Sequence, residues 1–228
     1  MERKVLKGDF MFYEKKANKL EYMALSFLSS PSYVHFHNEV EIVINMGEGA
    51  NANVYINAQK YSLKNEGDAV LVTPGQVHSY ETLNNGLFMA FIFPAEYIPR
   101  LQNTLISMQP ETPFFDIDKI GVRKIIMDFW EMHGSFPFDT KHMRSSVIIG
   151  YMNLLMAHLY QKLNFIHIES DLALVKKIIL YLTENYTEQT TLKELSDTLK
   201  TPHSVISKVF NSATGITIPS FLNWVRAS

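Results

Sequence analysis

The side chains best suited to chemistry sit in two short pieces of the first eighty residues. The first is His35-Phe36-His37-Asn38-Glu39-Val40-Glu41; the second is Gly67-Asp68 followed by Thr73-Pro74-Gly75-Gln76-Val77-His78. Successive side chains of a strand point to opposite faces, so His35 and His37 project to one side, and Glu41 can face the same cavity across a slight irregularity. His78 would close the group from another strand. Three imidazole nitrogens and a carboxylate are a chemically sensible set for a divalent transition metal. The same four groups can equally line a polar pocket or hydrogen-bond across the mouth of a barrel. Tyr80, Tyr55 and Tyr22 are candidates for a pocket wall, where an aromatic face and a hydroxyl suit a sugar or similar polar metabolite; they serve as well for core aromatics.

A different chemistry is on offer between Thr191 and Arg226. Leu192, Leu195 and Leu199 recur at spacings of three and four, one face of a short helix that opens at Thr190 or Thr191 with Glu194 in the capping-box position. Lys200, Thr201 and Pro202 break it. A second helix starts at Pro202 or His203, buries Val205, Ile206, Val209 and Phe210, and stops at Gly215. Its opposite face presents His203, Ser204, Ser207, Lys208 and Asn211. Two short helices joined by a tight turn, the second with an apolar inner and a small polar outer face, are what entry into the major groove of DNA requires.

The elements that must position these groups change character along the chain. Through about Pro94 the segments Leu20 to Leu28, Val40 to Met46, Val54 to Ile56, Tyr61 to Leu63, Ala69 to Val72 and Leu87 to Phe93 read as short strands of a sandwich or barrel, with a hairpin turn at Asn57-Ala58. Beyond Pro94 the pattern is helical: a short helix within Ala95 to Ser107, one over Asp116 to Met132, and a long one over Thr140 to Leu163 with a stripe of Val147, Ile148, Tyr151, Leu154, Leu155, His158 and Leu159. That stripe can serve a dimer or the protein's own barrel. Asn164 to Ser170 is the expected linker, although apolar for one. The helix that follows carries Val175, Ile178, Ile179 and Leu182 on its core face and Lys176 and Lys177 near its exposed side. With 228 residues the chain suits one large domain or two smaller ones. Cysteine is absent, which rules out a disulfide framework or a thiol nucleophile and fits a reducing cytoplasm. No signal-peptide or transmembrane run is expected. Lys and Arg number 21 against 23 Asp and Glu, so any affinity for nucleic acid must come from a local cluster.

The run L-x-E-L-S, the turn, S-V-I-S-K-V-F and then T-G-I-T-I-P-S-F-L-N-W-V-R resembles the first half of the AraC-type DNA-binding domain, over about the last quarter of the chain. Ser196 and Lys200 stand where that family often has Ala and Gly, and no Arg lies on the second helix. H-x-H-x3-E with the later G-D and P-G-x-x-H resembles the two cupin motifs, the second in the shortened form common in sensor domains of AraC-type regulators. The resemblance implies a cupin-like β barrel (double-stranded β-helix) followed by an all-α region with a helix-turn-helix. Residues 1–110 would form the ligand-sensing domain, 111–165 a helical dimerisation segment, and 171–228 the first helix-turn-helix part of the DNA-binding domain. The second unit normal to that family would follow the helix beginning near Ile218, so the sequence to Ser228 is expected to be an engineered truncation or a naturally shortened protein.

The same resemblance implies a cytoplasmic, homodimeric transcription regulator and not an enzyme, with DNA and a small-molecule effector such as a sugar as partners and no membrane. The effector would meet His35, His37, Glu41, His78 and Tyr80, with neither metal nor cofactor, because sensors of this kind often hold an organic ligand alone. Ser204, Ser207 and Lys208 match base-reading positions, and Thr201 and His203 lie nearer the phosphates. The competing class is a metal-dependent cupin enzyme, an isomerase or dioxygenase with a helical appendage; His35, His37 and Glu41 favour it, and the short second motif and the helix-turn-helix oppose it. A third is a protein-interaction module.

Overall fold

The computed structural model describes residues 12–13, 22–27, 34–47, 49–84, 86–135, 141–186 and 191–227. In the first half the strands are β1 (Phe12–Tyr13), β2 (Tyr22–Phe27), β3 (His35–Phe36), β4 (Glu39–Asn45), β5 (Asn51–Ile56), β6 (Gln59–Leu63), β7 (Asp68–Val72), β8 (His78–Asn84) and β9 (Leu87–Pro94). With β11 (Phe114–Asp116) they make two five-stranded sheets, ordered β1-β3-β8-β5-β6 and β11-β7-β4-β9-β2. Every pairing within them is antiparallel except that of β1 with β3.

The second sheet is apolar on both faces, which is why β4, β7 and β9 read as nearly unbroken hydrophobic runs instead of alternating ones. Val43, Val70, Val72 and Phe88 point toward the first sheet and meet Ala52, Val54, Ile56, Leu63 and Tyr80. Residues of the other parity, among them Ile42, Ile44, Leu71, Met89 and Phe91, point away and are covered by helices. These helices are α2 (Arg123–Ser135) and α3 (Lys141–Lys162), reached through a 3₁₀ turn at Ala95–Tyr97 and α1 (Pro99–Ser107). From α3, Ile148, Met152, Leu155, Met156 and Leu159 enter the same core as the sheet. The stripe that could have served a dimer is thus consumed within the subunit for Ile148, Leu155 and Leu159, while Leu154 faces outward at 45% exposure.

Two expected boundaries move. The helix expected from Asp116 begins at Arg123, because the Asp116 carboxylate accepts hydrogen bonds from the backbone N–H groups of Asp118 and Lys119 and holds a turn there. The linker expected at Asn164 to Ser170 contains β12 (Phe165–His167), paired antiparallel with β10 (Met108–Pro110). Its apolar residues, odd for a free linker, belong to that ribbon.

The last part of the chain is helical: α4 (Ser170–Glu184), α5 (Leu192–Leu199), α6 (His203–Thr214) and α7 (Ile218–Ala227). The capping box forms as expected, with Thr191 and Glu194 each bonding the other's backbone N–H. Gly215 ends α6 at φ 73°, a conformation that favours a residue without a Cβ. Val175, Ile178, Ile179, Leu182, Leu195, Ile206, Phe210, Phe221 and Val225 form one core, and Phe36 from the sheets joins it.

The β5–β6 hairpin turns through Asn57 at φ 49° and Ala58 at φ 66°, both left-handed, as two-residue hairpins of this twist require. Ala58 bears the steric cost of that conformation. Ala58→Gly, giving Asn-Gly, is expected to stabilise the protein by roughly 0.5–1 kcal/mol, the relief of the Cβ clash less the added chain entropy. Urea unfolding should show a higher midpoint with an unchanged slope.

Candidate functional site

His35 and His78 are direct partners across β3 and β8, and their rings lie 4.1 Å apart. His37 follows two residues on, on the same side, with its ring 4.9 Å from that of His78. Glu41 on β4 shares the parity of Val43 and so points between the sheets, where it meets the histidines across the expected irregularity, the break between β3 and β4 at His37 and Asn38. The four ligand-type atoms of His35, His37, Glu41 and His78 all lie within 4.8 Å of one another, and all four residues are buried. The grouping expected from the sequence is therefore formed. Tyr80, also expected there, donates from its hydroxyl to Glu41 Oε1 at 2.7 Å. Tyr55 is elsewhere: its hydroxyl donates to Glu81 Oε2 at 2.8 Å, because its parity is opposite to that of Val54 and Ile56. The side chain of Tyr22 lies outside the described residues.

Glu41 is 4% exposed. Burial pushes its carboxyl up, but the hydrogen bonds and charges of His37 and His78 outweigh burial and hold it well below the usual carboxylate range. Its Oε2 lies 2.7 Å from His37 Nε2 and 3.3 Å from His78 Nε2. Of the outer nitrogens, that of His78 is fixed by another partner. His78 Nδ1 is 2.9 Å from the backbone oxygen of Gln76, which can only accept, so Nδ1 bears the hydrogen. His37 Nδ1 lies 3.4 Å from Glu39 Oε2 and makes no hydrogen bond. In a neutral His78 the Nε2 lone pair therefore faces a carboxylate oxygen, an arrangement that requires a proton or a metal cation between them.

The segments that deliver the histidines also hold the helical half. Between His35 and His37, Phe36 points the other way and stacks on Phe221 of α7 with ring centroids 6.0 Å apart. In the segment ending at His78, Thr73 accepts a hydrogen bond through Oγ1 from Lys176 Nζ at 3.2 Å. Gly75 has φ 73°, and a Cβ there would come within 3.0 Å of Lys176 Cγ. Lys176, expected near the exposed side of α4, is 1% exposed, because that side faces the sheets. Asn38 adds a hydrogen bond to Thr183 of α4. Beside these contacts a cleft of about 430 Å³ runs between sheets and helices, with Glu39, Glu96, Lys177 and Glu184 on its walls. Burial, with Glu96 nearby, raises the Glu184 carboxyl.

On α6, His203, Ser204, Lys208 and Asn211 are exposed and Ser207 is half-buried, the outward face the spacing predicts. Thr201 lies in the turn, where its Oγ1 donates to the Leu199 carbonyl at 3.0 Å. Val205, expected inside, is 42% exposed. It sits beside Ser204 on the outward side of the first turn, while its neighbour Ile206 is the residue that enters the core.

No family model matches the chain, and no curated protein matches it in sequence. Solved structures match it in fold. ToxT from Vibrio cholerae aligns with a TM-score of 0.58 at 13% identity, over 91% of this chain and 81% of that one. ToxT with a bound unsaturated fatty acid aligns at 0.53 and 16%, over 90% and 76%. The AraC-like transcriptional activator CuxR aligns at 0.44 and 11%, over 83% and 65%, too loosely to support an argument. At these identities the ToxT likeness is one of fold, and it takes in both the sheet half and the helical half.

Burial pulls the Lys176 amine down to about 7 from 10.5, and no acidic side chain contributes to offset it. Its folded pKa is thus below its unfolded one. Between those values the unfolded chain binds more protons, so stability rises with pH across that window, by at most about 1.4 kcal/mol per pH unit. Urea unfolding at pH 7, 8 and 9 is expected to show this rise, and Lys176→Met is expected to abolish it while raising stability at pH 7.

Proposed function

We propose that this protein is a ligand-responsive, DNA-binding transcription regulator of the AraC type. In this reading the two sheets are a cupin-like sensing domain over residues 1–110, 111–165 is a helical segment serving a homodimer, and 171–228 is the DNA-binding part, with α5 and α6 as its helix-turn-helix. The observation that carries it is the double duty of residues 73–78: one end places His78 on Glu41, and the other holds Lys176 of the helix leading to α5 and α6. A ligand that alters the cluster therefore acts on the seat of α4. The ToxT fold, solved with a fatty acid bound, supports a protein that joins a sheet domain to helices around a ligand.

The DNA face is the outward side of α6. Ser204, Ser207 and Lys208 would meet base edges, His203 and Thr201 the phosphates, and Val205 offers an apolar contact of the kind a thymine methyl accepts. The effector is a small ligand held by His35, His37, Glu41, His78 and Tyr80. Such a protein works in the cytoplasm and needs no catalytic group. Because Leu155 is in the subunit's own core, dimer contacts on α3 fall to outward residues such as Leu154 and Tyr160.

Fluorescence anisotropy on the DNA upstream of its own gene, across a salt series, tests this. Lys208→Ala is expected to weaken binding and to reduce the salt slope by about 1. Gly75→Ala, which strains the Lys176 seat without touching α6, is expected to change operator affinity several-fold. No sequence preference, together with no response to either substitution, would sink the proposal. Sedimentation of Leu154→Glu should give a folded monomer; a dimer that persists would place the interface elsewhere.

A further inference from the structure

We propose that the joint between the sheet half and the helical half is gated by a proton: α4 stays seated on residues 73–78 while the Lys176 side chain is neutral and leaves them when that side chain takes a proton, so that the bearing of α6 on DNA changes with pH. The first part stands on the joint itself; the consequence for DNA rests on the regulator reading.

The seat suits an amine better than an ammonium. Lys176 is 1% exposed, and among the described residues its Nζ donates to Thr73 Oγ1 at 3.2 Å. An ammonium carries three N–H donors, so two of them would lie buried without an acceptor. Gly75 is packed so closely on the stem that a Cβ there would come within 3.0 Å of Lys176 Cγ. Burial alone draws the amine down to about 7. No neighbouring charge offsets it. On the sheet side His35, His37 and His78 are turned to the buried cluster with Glu41, and Glu39 lies beside His37. On the surrounding helices Arg100, Lys193, Glu194, Asp197, His203, Lys208 and Arg226 are exposed, as are Asp171, Lys177 and Glu184 on α4 itself.

The two halves can part here without unfolding. Residues 73–78 are stitched to the sheet half by bonds of their own: the Thr73 N–H donates to Gln76 Oε1 at 2.6 Å, the Gly75 N–H to the His37 carbonyl at 2.8 Å, and Gln76 Nε2 to Gln109 Oε1 at 3.1 Å. The helices α4 to α7 have their own core, and Phe36 is the one buried residue in it, among those described, that comes from the sheets. A charged Lys176 also has somewhere to go. Pro74, between Thr73 and Gly75, borders the cleft whose walls carry Glu39, Glu96 and Glu184. The Glu184 carboxyl, raised by burial with Glu96 nearby, is one that an arriving cation would relieve.

Acid favours release, over a bounded window. The seated amine titrates at about 7 and a released one at the ordinary 10.5, so release takes up a proton between those values. The ratio of released to seated chains is expected to rise roughly ninefold from pH 9 to 8 and roughly fivefold from 8 to 7. From pH 7 to 6 it should rise by less than about twofold, because the seated amine is by then protonated as well. Ile206 and Phe210 of α6 share the core of α4, so α6 moves with it.

The chain has no cysteine, so a dye pair can be placed cleanly on Lys60→Cys in the first sheet and Ser212→Cys on α6, both exposed. Single-molecule energy transfer in the full chain is expected to show a seated population and a second one that grows from pH 9 to 7 in the ratios above, with far-ultraviolet circular dichroism unchanged. Lys176→Met should leave the seated population alone at every pH, and Lys176→Arg, always charged, should leave the released one. If the arginine variant does not fold, wild type and Lys176→Met still decide. A single unchanging population in wild type, or the same pH response in Lys176→Met, overturns the gate. Operator affinity of the unlabelled chains, measured at the same pH values, is read separately. It is expected to change several-fold more in wild type than in Lys176→Met. Equal changes in the two, with the dye populations shifting as expected, leave the gate standing and remove its link to DNA. No sequence-selective DNA binding at any pH, with the populations still shifting, sinks the regulator reading and leaves the gate.

Discussion

A carboxylate buried between two sheets must be compensated, and most of the site follows from that one constraint. Leaving Glu41 ionised with no partner would cost several kcal/mol. His37, His78 and Tyr80 supply three close contacts to its two oxygens, and His35 lies against His78. Each partner must be held in turn: His78 by the Gln76 carbonyl, which fixes residues 76 to 78, and His37 beside Glu39 at the edge of β4. The geometry of the loop before β8 and of the strand before β4 is thus tied to one charge.

Because side chains alternate along extended backbone, the segments that serve this charge must present their other faces elsewhere. Phe36 leaves the space between the sheets, flanked by two histidines, and becomes part of the core around α4, α6 and α7. The loop from Thr73 to His78, tight enough to need Gly75 at φ 73°, brings its other end against Lys176. Sheet half and helical half therefore meet at residues whose neighbours line the buried cluster. No separate relay through the molecule is needed, since the contact and the site are adjacent residues on the same backbone.

Much of this was legible because it rests on short-range rules. Strand parity put His35, His37 and Glu41 together, capping chemistry set the start of α5, and Gly215 marked the end of α6. What could not be read depends on which surface meets which. The period of α3 gave its apolar face but not its partner, and the sheet rather than a second subunit took Ile148, Leu155 and Leu159. Lys176 looked like a solvated residue because nothing local says that sheets will cover that side of α4. The ribbon at Phe165–His167 pairs with Met108–Pro110, too far away in sequence for any window to join them. Tyr55 and Tyr80 were grouped by type, and only strand parity separates the one on Glu41 from the one on Glu81.

The seat of α4 contains one poorly compensated contact. A buried amine with a single hydroxyl partner is a poor bond, since desolvation weighs against it and no carboxylate returns the cost. An apolar residue in place of Lys176 would dock the helix more firmly. Were a ligand to move α4 between two arrangements, it could do so only by the difference in its affinity for the two. About 5.5 kcal/mol of differential binding takes a two-state element from 1:99 to 99:1. Residues 73 to 78 carry both the partner of Glu41 and the partner of Lys176, so a change at either end of that segment is felt at the other.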